Sequence, residues 1–305
     1  MKSPIAAATA VPAAPDWAGL ALAMTGAVAF SGKAIIVKLA YRHGVDAVTL
    51  IMLRMLFALP LFVALAWWAG RGRPPLAARD RWAVAGLGFS GYYLASFLDF
   101  AGLAHVTASF ERLVLYLNPT LVLFLGWAIF GRRIGLRQVA AVAVSYAGVL
   151  LVFGQEMSLQ GDRVLLGAAL VFGSAVSYAV YLVYSGEVVR RLGALRLTGL
   201  ATSVACVLCI GQFALLRPVT AATTVAPEVI WLSVLNATAC TFAPVLLVML
   251  AIERIGSTLA AQTGMVGPMS TILMGVLFLD EPFTPGLVAG TLLVLAGVGL
   301  LARAR

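Results

Sequence analysis

Five ionisable residues lie inside long apolar stretches of the chain, where a charge needs a partner: Lys33, Arg54, Asp99, Glu111 and Arg112. A charged side chain at the centre of a bilayer costs about 2.5–3.5 kcal/mol on insertion scales, so five of them imply mutual pairing or water. Three basic and two acidic groups leave one positive charge, which is available to a carboxylate. Two interpretations stay open. A structural ion network is expected for Arg54 and Glu111, and substrate binding for Lys33, Arg112 and Asp99.

Tyrosines and serines form a second pattern, along one side of the stretch 164–185. At about 100° per residue in an α-helix they fall within one arc, which is too polar to face lipid. Buried tyrosines need partners for their hydroxyls, and rings one turn apart form a slot for a flat apolar group. Core packing would produce the same stripe. The members are Ser174, Ser177, Tyr178, Tyr181, Tyr184 and Ser185.

Further polar faces on other stretches extend this candidate site. Ser109, Arg112, Tyr116 and Thr120 share one side of 106–130, whereas Glu111 and Asn118 lie on the opposite side. Met265 is included because a methionine side chain is flexible and suits a cavity that accepts several side-chain shapes. The full set of predicted substrate-binding residues is Phe30, Lys33, Tyr92, Asp99, Arg112, Tyr116, Tyr178, Tyr181, Gln262 and Met265.

Long apolar helices must position these side chains. Of the 305 residues, 62% are apolar and 11% charged, which is outside the range of a soluble domain. Strand alternation is not visible, so helices are expected to satisfy the backbone within lipid. Stretches long enough to cross a hydrocarbon core of about 30 Å predict ten transmembrane helices: 17–38, 47–69, 81–103, 106–130, 134–154, 164–185, 197–216, 228–252, 257–279 and 286–302.

The basic residues predict the topology. With a cytoplasmic N-terminus, 14 Lys and Arg residues fall inside and four outside, and three lie in the membrane. The inside groups occupy 71–81, 132–137 and 190–196. Both termini are then cytoplasmic, and residues 1–16 form a cytoplasmic tail. The net charge of +9 therefore reflects membrane orientation, and no nucleic-acid partner is expected.

The chain contains an internal repeat. A shift of 149 residues pairs Trp82 with Trp231, Gly126 with Gly275, and Pro119 with Pro268. We therefore predict two repeats, residues 17–154 and 164–303. Five helices per repeat is an odd number, so the second repeat is inverted in the membrane, an arrangement that supports alternating access.

Pro119 and Pro268 are equivalent positions near the middle of their predicted helices. A proline there removes a backbone donor and bends the helix. The pair is interpreted either as hinges that switch access or as static kinks that widen a cavity.

These features resemble the EamA-type branch of the drug/metabolite transporter superfamily. The resemblance covers nearly the whole chain and rests on ten spans in two repeats, Asn118-Pro119, Gly267-Pro268 and Leu279-Asp280-Glu281-Pro282. Within that branch the chain is similar to bacterial amino-acid exporters of the YddG kind. The resemblance implies export of amino acids, aromatic ones included, across a bacterial inner membrane. Many relatives carry an acidic residue after the glycine that ends helix four, whereas Arg132 stands here.

Other functions remain as alternatives. An exporter of drugs or other metabolites would not need a basic anchor, and a channel would be expected to show a repeated ring of charges. An intramembrane enzyme needs a metal-binding pair or a nucleophile with a base, and the sequence shows neither. We therefore expect a non-enzymatic protein without metal or cofactor, which acts on small molecules as a monomer in membrane lipid.

Overall fold

The structure is a computed structural model. It describes residues 16–131, 133–161, 163–264 and 266–303, without the side chains of 159–160, 257–258 and 261–262. Within these ranges every regular element is helical. Of the predicted tail, only Asp16 lies among the described residues. The helices of the first half are α1 Trp17–Tyr41, α2 Ala47–Gly70, α3 Ala78–Leu87, α4 Ala95–Leu103, α5 Ala108–Leu115, α6 Asn118–Phe130 and α7 Leu136–Gln160.

The second half continues with a similar series of helices, and each half also contains one short π-helical segment. These segments are π1 Gly88–Leu94, between α3 and α4, and π2 Thr238–Phe242, between α11 and α12. The remaining helices are α8 Arg163–Leu192, α9 Ala194–Leu216, α10 Thr220–Thr223, α11 Pro227–Ala237, α12 Ala243–Thr263, α13 Val266–Leu279 and α14 Pro285–Arg303.

Side-chain caps fix where several helices begin. Asp16 Oδ1 accepts the backbone N–H of Gly19 at the start of α1, at 3.0 Å. Thr107 Oγ1 accepts the N–H of Phe110 at the start of α5, at 3.1 Å. Such caps satisfy backbone donors that have no partner inside the first helical turn. Short polar residues between the apolar runs therefore set the helix boundaries.

The chain is a multi-pass helical membrane protein. Eight helical segments of the described chain are long and apolar enough to cross a membrane. The predicted span 81–103 corresponds to α3, π1 and α4 in continuous succession. The predicted span 257–279 starts just after Gly256, whose φ of 78° interrupts α12, and ends with the 14-residue α13. The exact number of ten crossings stays a prediction.

Departures from regular helix recur 149 residues apart. The segment π1 and the shorter π2 occupy equivalent stretches under this shift. Gly131, at the end of α6, has a φ of 63°, and its counterpart Asp280, after α13, has a φ of 57°. The left-handed region suits glycine and is uncommon for other residues, so its recurrence marks the same helix-ending turn.

The contacts between helices follow the same repeat. α1 packs on α12 and α4 packs on α8, and the shift that relates the halves carries one contact into the other. α7 packs on α14, where a Cβ on Gly148 would stand 2.6 Å from the carbonyl oxygen of Gly290. Such close backbone approach is typical of membrane helices, which gain little from apolar burial against lipid. The main buried core, around Met55, Phe62 and Phe100, lies between α2, α4 and α9.

Candidate functional site

Lys33 lies between two buried carboxylates. Its Nζ is 2.5 Å from Asp99 Oδ2 and 3.4 Å from Glu111 Oε1, so the contact joins α1, α4 and α5. The side chains of Asp99 and Glu111 are 3% and 0% exposed. Asp99 Oδ1 and both carboxylate oxygens of Glu111 accept no hydrogen bond from a basic or hydroxyl group within the described part of the chain, so Lys33 meets Glu111 as an ion pair only. One ammonium faces two carboxylates, so this cluster retains a negative charge and free acceptor atoms when both acids are ionised.

Arg112 is tied to two other helices. Its Nε donates to Thr271 Oγ1 on α13 at 3.0 Å, and its Nη2 donates to the carbonyl of Phe30 on α1 at 3.1 Å. The guanidinium therefore links the two halves of the molecule. Two of its five donors are already used by the protein.

Arg54 is the least satisfied of the intramembrane charges. It lies on α2, is 6% exposed and stands with Cζ 5.1 Å from the centre of the Phe100 ring. Its Nε and Nη1 donate no hydrogen bond to the described residues, and none of their carboxylates comes within 4.0 Å of it. Of the two residues predicted for a structural ion network, Glu111 pairs with Lys33, whereas Arg54 forms no ion pair among the described residues; the structural role of both stays a prediction.

Three tyrosines meet where π1 crosses α8. The hydroxyls of Tyr92 and Tyr181 are 3.2 Å apart, and their ring centroids are 5.1 Å apart in an edge-to-face arrangement. The rings of Tyr178 and Tyr181 stack with centroids 5.5 Å apart. Gly91 makes this possible, because a Cβ there would stand 2.4 Å from Cγ of Tyr181. The cluster offers an aromatic wall with few free hydroxyl groups.

The serines of the predicted stripe serve as helix cross-links. Ser174 Oγ donates to the carbonyl of Ala95, and Ser177 Oγ donates to the carbonyl of Ser90, both at 2.7 Å. Tyr184 is 49% exposed and lies outside this contact. Part of the polar stripe therefore serves to hold α8 against π1 and α4 by hydrogen bonds.

The helix breaks of the two halves meet. α5 ends at Leu115 and α6 begins at Asn118, and the hydroxyl of Tyr116 donates to the carbonyl of Gly264, just before α13, at 3.0 Å. Pro119 is the second residue of α6 and Pro268 the third of α13, so each stands in a first helical turn. A proline is tolerated there because its missing N–H would have no partner in the helix. Their role as hinges stays a prediction.

A cavity of about 450 Å³ lies between these groups, a volume that suits a small molecule. Helices of both halves contribute to it. Charged residues, aromatic rings and hydroxyl groups all reach its surface. The polar and aromatic residues that line it are Phe30, Lys33, Arg54, Phe62, Tyr92, Ser96, Asp99, Arg112, Tyr116, Asn118, Ser174, Tyr178, Thr198, Thr202 and Thr241.

Most of the sequence-predicted site residues meet at this cavity. Phe30, Lys33, Tyr92, Asp99, Arg112, Tyr116 and Tyr178 all line it. Tyr181 is 7% exposed and packs behind Tyr92 and Tyr178. The side chain of Gln262 and the residue Met265 lie outside what the structure describes.

Sequence reasoning placed Asn118 wrongly and missed a group of threonines. Asn118 was expected on the face opposite Tyr116, but both line the cavity, because the helix is interrupted between them. Thr198 and Thr202 on α9 also line it, and the hydroxyl of Thr202 has no partner among the described residues. Their spacing of four residues in an apolar helix is a signal that identifies a shared face.

Hydrogen bonds join the helix ends beyond Lys33. Tyr41 donates to the carbonyl of Phe100, and Arg42 to that of Leu279, which ties the end of α1 to α4 and α13. Glu281 accepts the N–H groups of Ala108 and Ser109 at 2.6 and 3.1 Å, and so caps α5. The acidic residue of the Leu279-Asp280-Glu281-Pro282 motif therefore positions the helix that carries Glu111 and Arg112.

A helical membrane protein whose two related halves enclose a polar and aromatic cavity has the architecture of a secondary transporter. The family model described as "EamA-like transporter family" matches residues 17–154 and again 165–303. The chain belongs to this family, within the drug/metabolite transporter superfamily.

Curated relatives agree with this assignment. The uncharacterized transporter YcbK of Bacillus subtilis is 31% identical over 87% of this chain and 86% of its own length. An uncharacterized transporter of Archaeoglobus fulgidus is 24% identical over 92% of this chain and 96% of its own. A crystal structure with 19% identity covers 94% of this chain and 96% of its own with a TM-score of 0.59, which shows a shared fold.

Proposed function

We propose that the protein exports amino acids, aromatic ones included, by alternating access. One observation carries this proposal: the central cavity has cationic and anionic groups together with tyrosine rings on its wall. A zwitterionic head group matches paired charges of opposite sign, and an aromatic side chain matches the tyrosine surface. The substrate is moved unchanged, so no enzymatic step and no cofactor belong to the proposal.

Alternating access would use the two related halves as moving bodies. The contacts of Tyr41, Arg42 and Glu281 join helices at one end of the bundle and would separate when the halves move apart there. The breaks before Pro119 and Pro268 would act as the paired hinges. This assignment rests on their equivalent positions and on the contact of Tyr116 with Gly264.

The proposed location is a bacterial inner membrane, with both termini in the cytoplasm and the monomer as the working unit. Support comes from the basic residues at one end of the bundle, where Arg191 lies 2.8 Å from both Asp80 and Glu187. Basic residues near membrane helices favour the cytoplasmic side. The end with Arg42 and Glu281 would then face outward.

Counterflow into proteoliposomes tests the proposed function. Vesicles loaded with unlabelled phenylalanine should accumulate labelled phenylalanine faster than unloaded vesicles, with a saturable rate. Tryptophan and tyrosine should compete, whereas cationic or uncharged drug-like solutes should not. Exchange driven only by the latter solutes would support the alternative of a drug or metabolite exporter and contradict this proposal.

Two tyrosines on the same helix provide a matched pair of variants. Tyr178 lines the cavity, whereas Tyr184 is 49% exposed and lies outside it. Tyr178→Ala should raise the half-saturation concentration for phenylalanine roughly tenfold, because an aromatic contact contributes on the order of 1 kcal/mol beyond its buried area. Tyr184→Ala should leave it unchanged. Equal effects of the two substitutions would contradict the proposed aromatic wall.

A further inference from the structure

Arg54 carries buried, unused hydrogen-bond donors at the wall of the cavity. Its side chain lines the cavity, yet its Nε and Nη1 are buried and have no hydrogen-bond partner in the described part of the chain. The ring of Phe100 lies 5.1 Å from Cζ and stabilises the positive charge through its π face. A ring face offers no strong acceptor for the N–H groups, so the donors remain unsatisfied.

An unsatisfied buried guanidinium is costly, which makes a purely structural role unfavourable. Charged groups removed from water lose several kcal/mol of solvation unless a partner compensates them. Lys33 has two carboxylates, and Arg112 uses two of its five donors in hydrogen bonds to Thr271 and Phe30, whereas Arg54 has neither kind of partner among the described residues. Arg54 is therefore the basic group that an incoming anion can satisfy.

We propose that Arg54 is the carboxylate anchor of the substrate site and that Asp99 Oδ1 receives the ammonium of the same molecule. Asp99 lines the same cavity and precedes Phe100, over which Arg54 lies. Its Oδ2 is held by Lys33, whereas its Oδ1 has no hydrogen bond from a basic side chain of the described residues. The ligand class is an α-amino acid in its zwitterionic form, and the proposal rests on the proposed function because it fills the same cavity.

The second half of the chain has no arginine at the position equivalent to Arg54. The position equivalent to Arg54 in the second half is Ser203, whose hydroxyl donates to the carbonyl of Gly199 within α9. No second guanidinium therefore faces the cavity from that position. At this pair of equivalent positions the substrate carboxylate would meet a single guanidinium, with the side chain of the substrate directed toward the tyrosines.

Three ligands that differ by one group test the anchor. Phenylalanine has both charges, phenethylamine lacks the carboxylate, and 3-phenylpropanoate lacks the ammonium. Affinities are measured by competition against labelled phenylalanine, or by ligand-induced thermal shift of the purified protein. In Arg54→Met, affinity for phenylalanine and 3-phenylpropanoate should fall roughly 10- to 100-fold, as expected for charged hydrogen bonds. Affinity for phenethylamine should stay within about threefold.

Thermal stability separates binding from structure. Arg54→Met removes a buried unsatisfied charge and places an apolar chain of similar length beside the Phe100 ring, so its melting temperature without ligand should not fall. Arg217→Gln is the control for the loss of an arginine, because Arg217 lies outside the cavity and pairs with Asp46. It should bind all three ligands like the unaltered protein.

Each outcome decides between the proposals. An Arg54→Met protein that fails to fold, or loses all three ligands equally, contradicts the anchor and assigns Arg54 a structural role. If Arg54→Met binds phenylalanine and 3-phenylpropanoate with unchanged affinity, the anchor is also contradicted. Amino-acid transport by the unaltered protein would stand in that case. Arg54-dependent binding of 3-phenylpropanoate without binding of phenylalanine would keep the anchor and overturn amino-acid export.

Discussion

At the scale of single residues, the charges divide into satisfied and unsatisfied groups. Lys33 has two carboxylates beside it, whereas Arg54, one oxygen of Asp99 and both oxygens of Glu111 lack a hydrogen bond from a basic or hydroxyl group among the described residues. Burying a polar group without a partner lowers stability, so such groups are retained where a ligand completes them. This difference indicates which charged groups hold the site together and which are available to bind the substrate.

Lys33 is expected to hold the carboxylate pair in place. In Lys33→Met, Asp99 and Glu111 lose the one oppositely charged side chain that lies within 4.0 Å of them among the described residues. Removal of one partner from a buried ion pair typically costs about 3–5 kcal/mol. The melting temperature of the purified protein should therefore fall.

The double variant Lys33→Met/Glu111→Gln provides the control. It removes one of the two carboxylates that Lys33 would otherwise neutralise and should recover part of the lost melting temperature. An equal melting temperature for the unaltered protein and Lys33→Met would show that the ion cluster contributes nothing to stability.

At the scale of helices, the π1 segment positions the tyrosine wall. Gly91→Ala places a methyl carbon 2.4 Å from Cγ of Tyr181, so the tyrosine ring must move. The contact between the hydroxyls of Tyr92 and Tyr181 should break, and counterflow of aromatic amino acids should decrease roughly tenfold or more, since overpacking typically costs about 1–3 kcal/mol. Gly86→Ala is the matched control, because its Cβ would meet nothing within 4 Å. A similar loss in both variants would contradict this role of π1.

Asp46 links helix stability to pH. It caps α2 through Val48 and Thr49 and lies 3.3 Å from Arg217. Partial burial raises the pKa of this carboxyl, but the hydrogen bonds from Thr49 and the charge of Arg217 outweigh it and hold the pKa below its ordinary value. A depressed folded-state pKa stabilises the protein above the unfolded-state pKa, and this contribution is lost as pH falls through the folded-state value.

Asp46→Ala should therefore destabilise the protein by about 1 kcal/mol at neutral pH, the usual effect of losing such a cap. The difference in melting temperature between the two proteins should shrink as pH falls below about 4, the ordinary range of an aspartate pKa. A difference that persists unchanged at pH 3 would show that the charge of Asp46 has no part in the cap.

At the scale of the whole molecule, the sequence predicted which residues meet but not how their charges pair. Apolar length located the helices, and helical phase brought Phe30, Lys33, Tyr92 and Tyr178 to one cavity. Phase failed for Asn118, because it assumes an unbroken helix and the break between α5 and α6 is not written in hydropathy. The partner of Glu111 depends on distances between helices, which a periodic pattern does not contain.

The orientation of the bundle in the membrane can be tested by labelling introduced cysteines. The three native cysteines, Cys206, Cys209 and Cys240, are buried free thiols, so an introduced surface cysteine can be labelled against a low background. His43 and Ala77 are both exposed and lie in loops at opposite ends of α2. The basic loop beside Ala77 is expected in the cytoplasm.

A membrane-impermeant maleimide applied to intact cells should therefore label His43→Cys and spare Ala77→Cys until the cells are permeabilised. The unaltered protein, carrying only the buried thiols, gives the background. The reverse pattern would place the termini outside and direct the end that carries Arg42 and Glu281 toward the cytoplasm. Because the two loops flank the same helix, the two labels must fall on opposite sides if α2 crosses the membrane, and equal labelling of both would exclude that crossing.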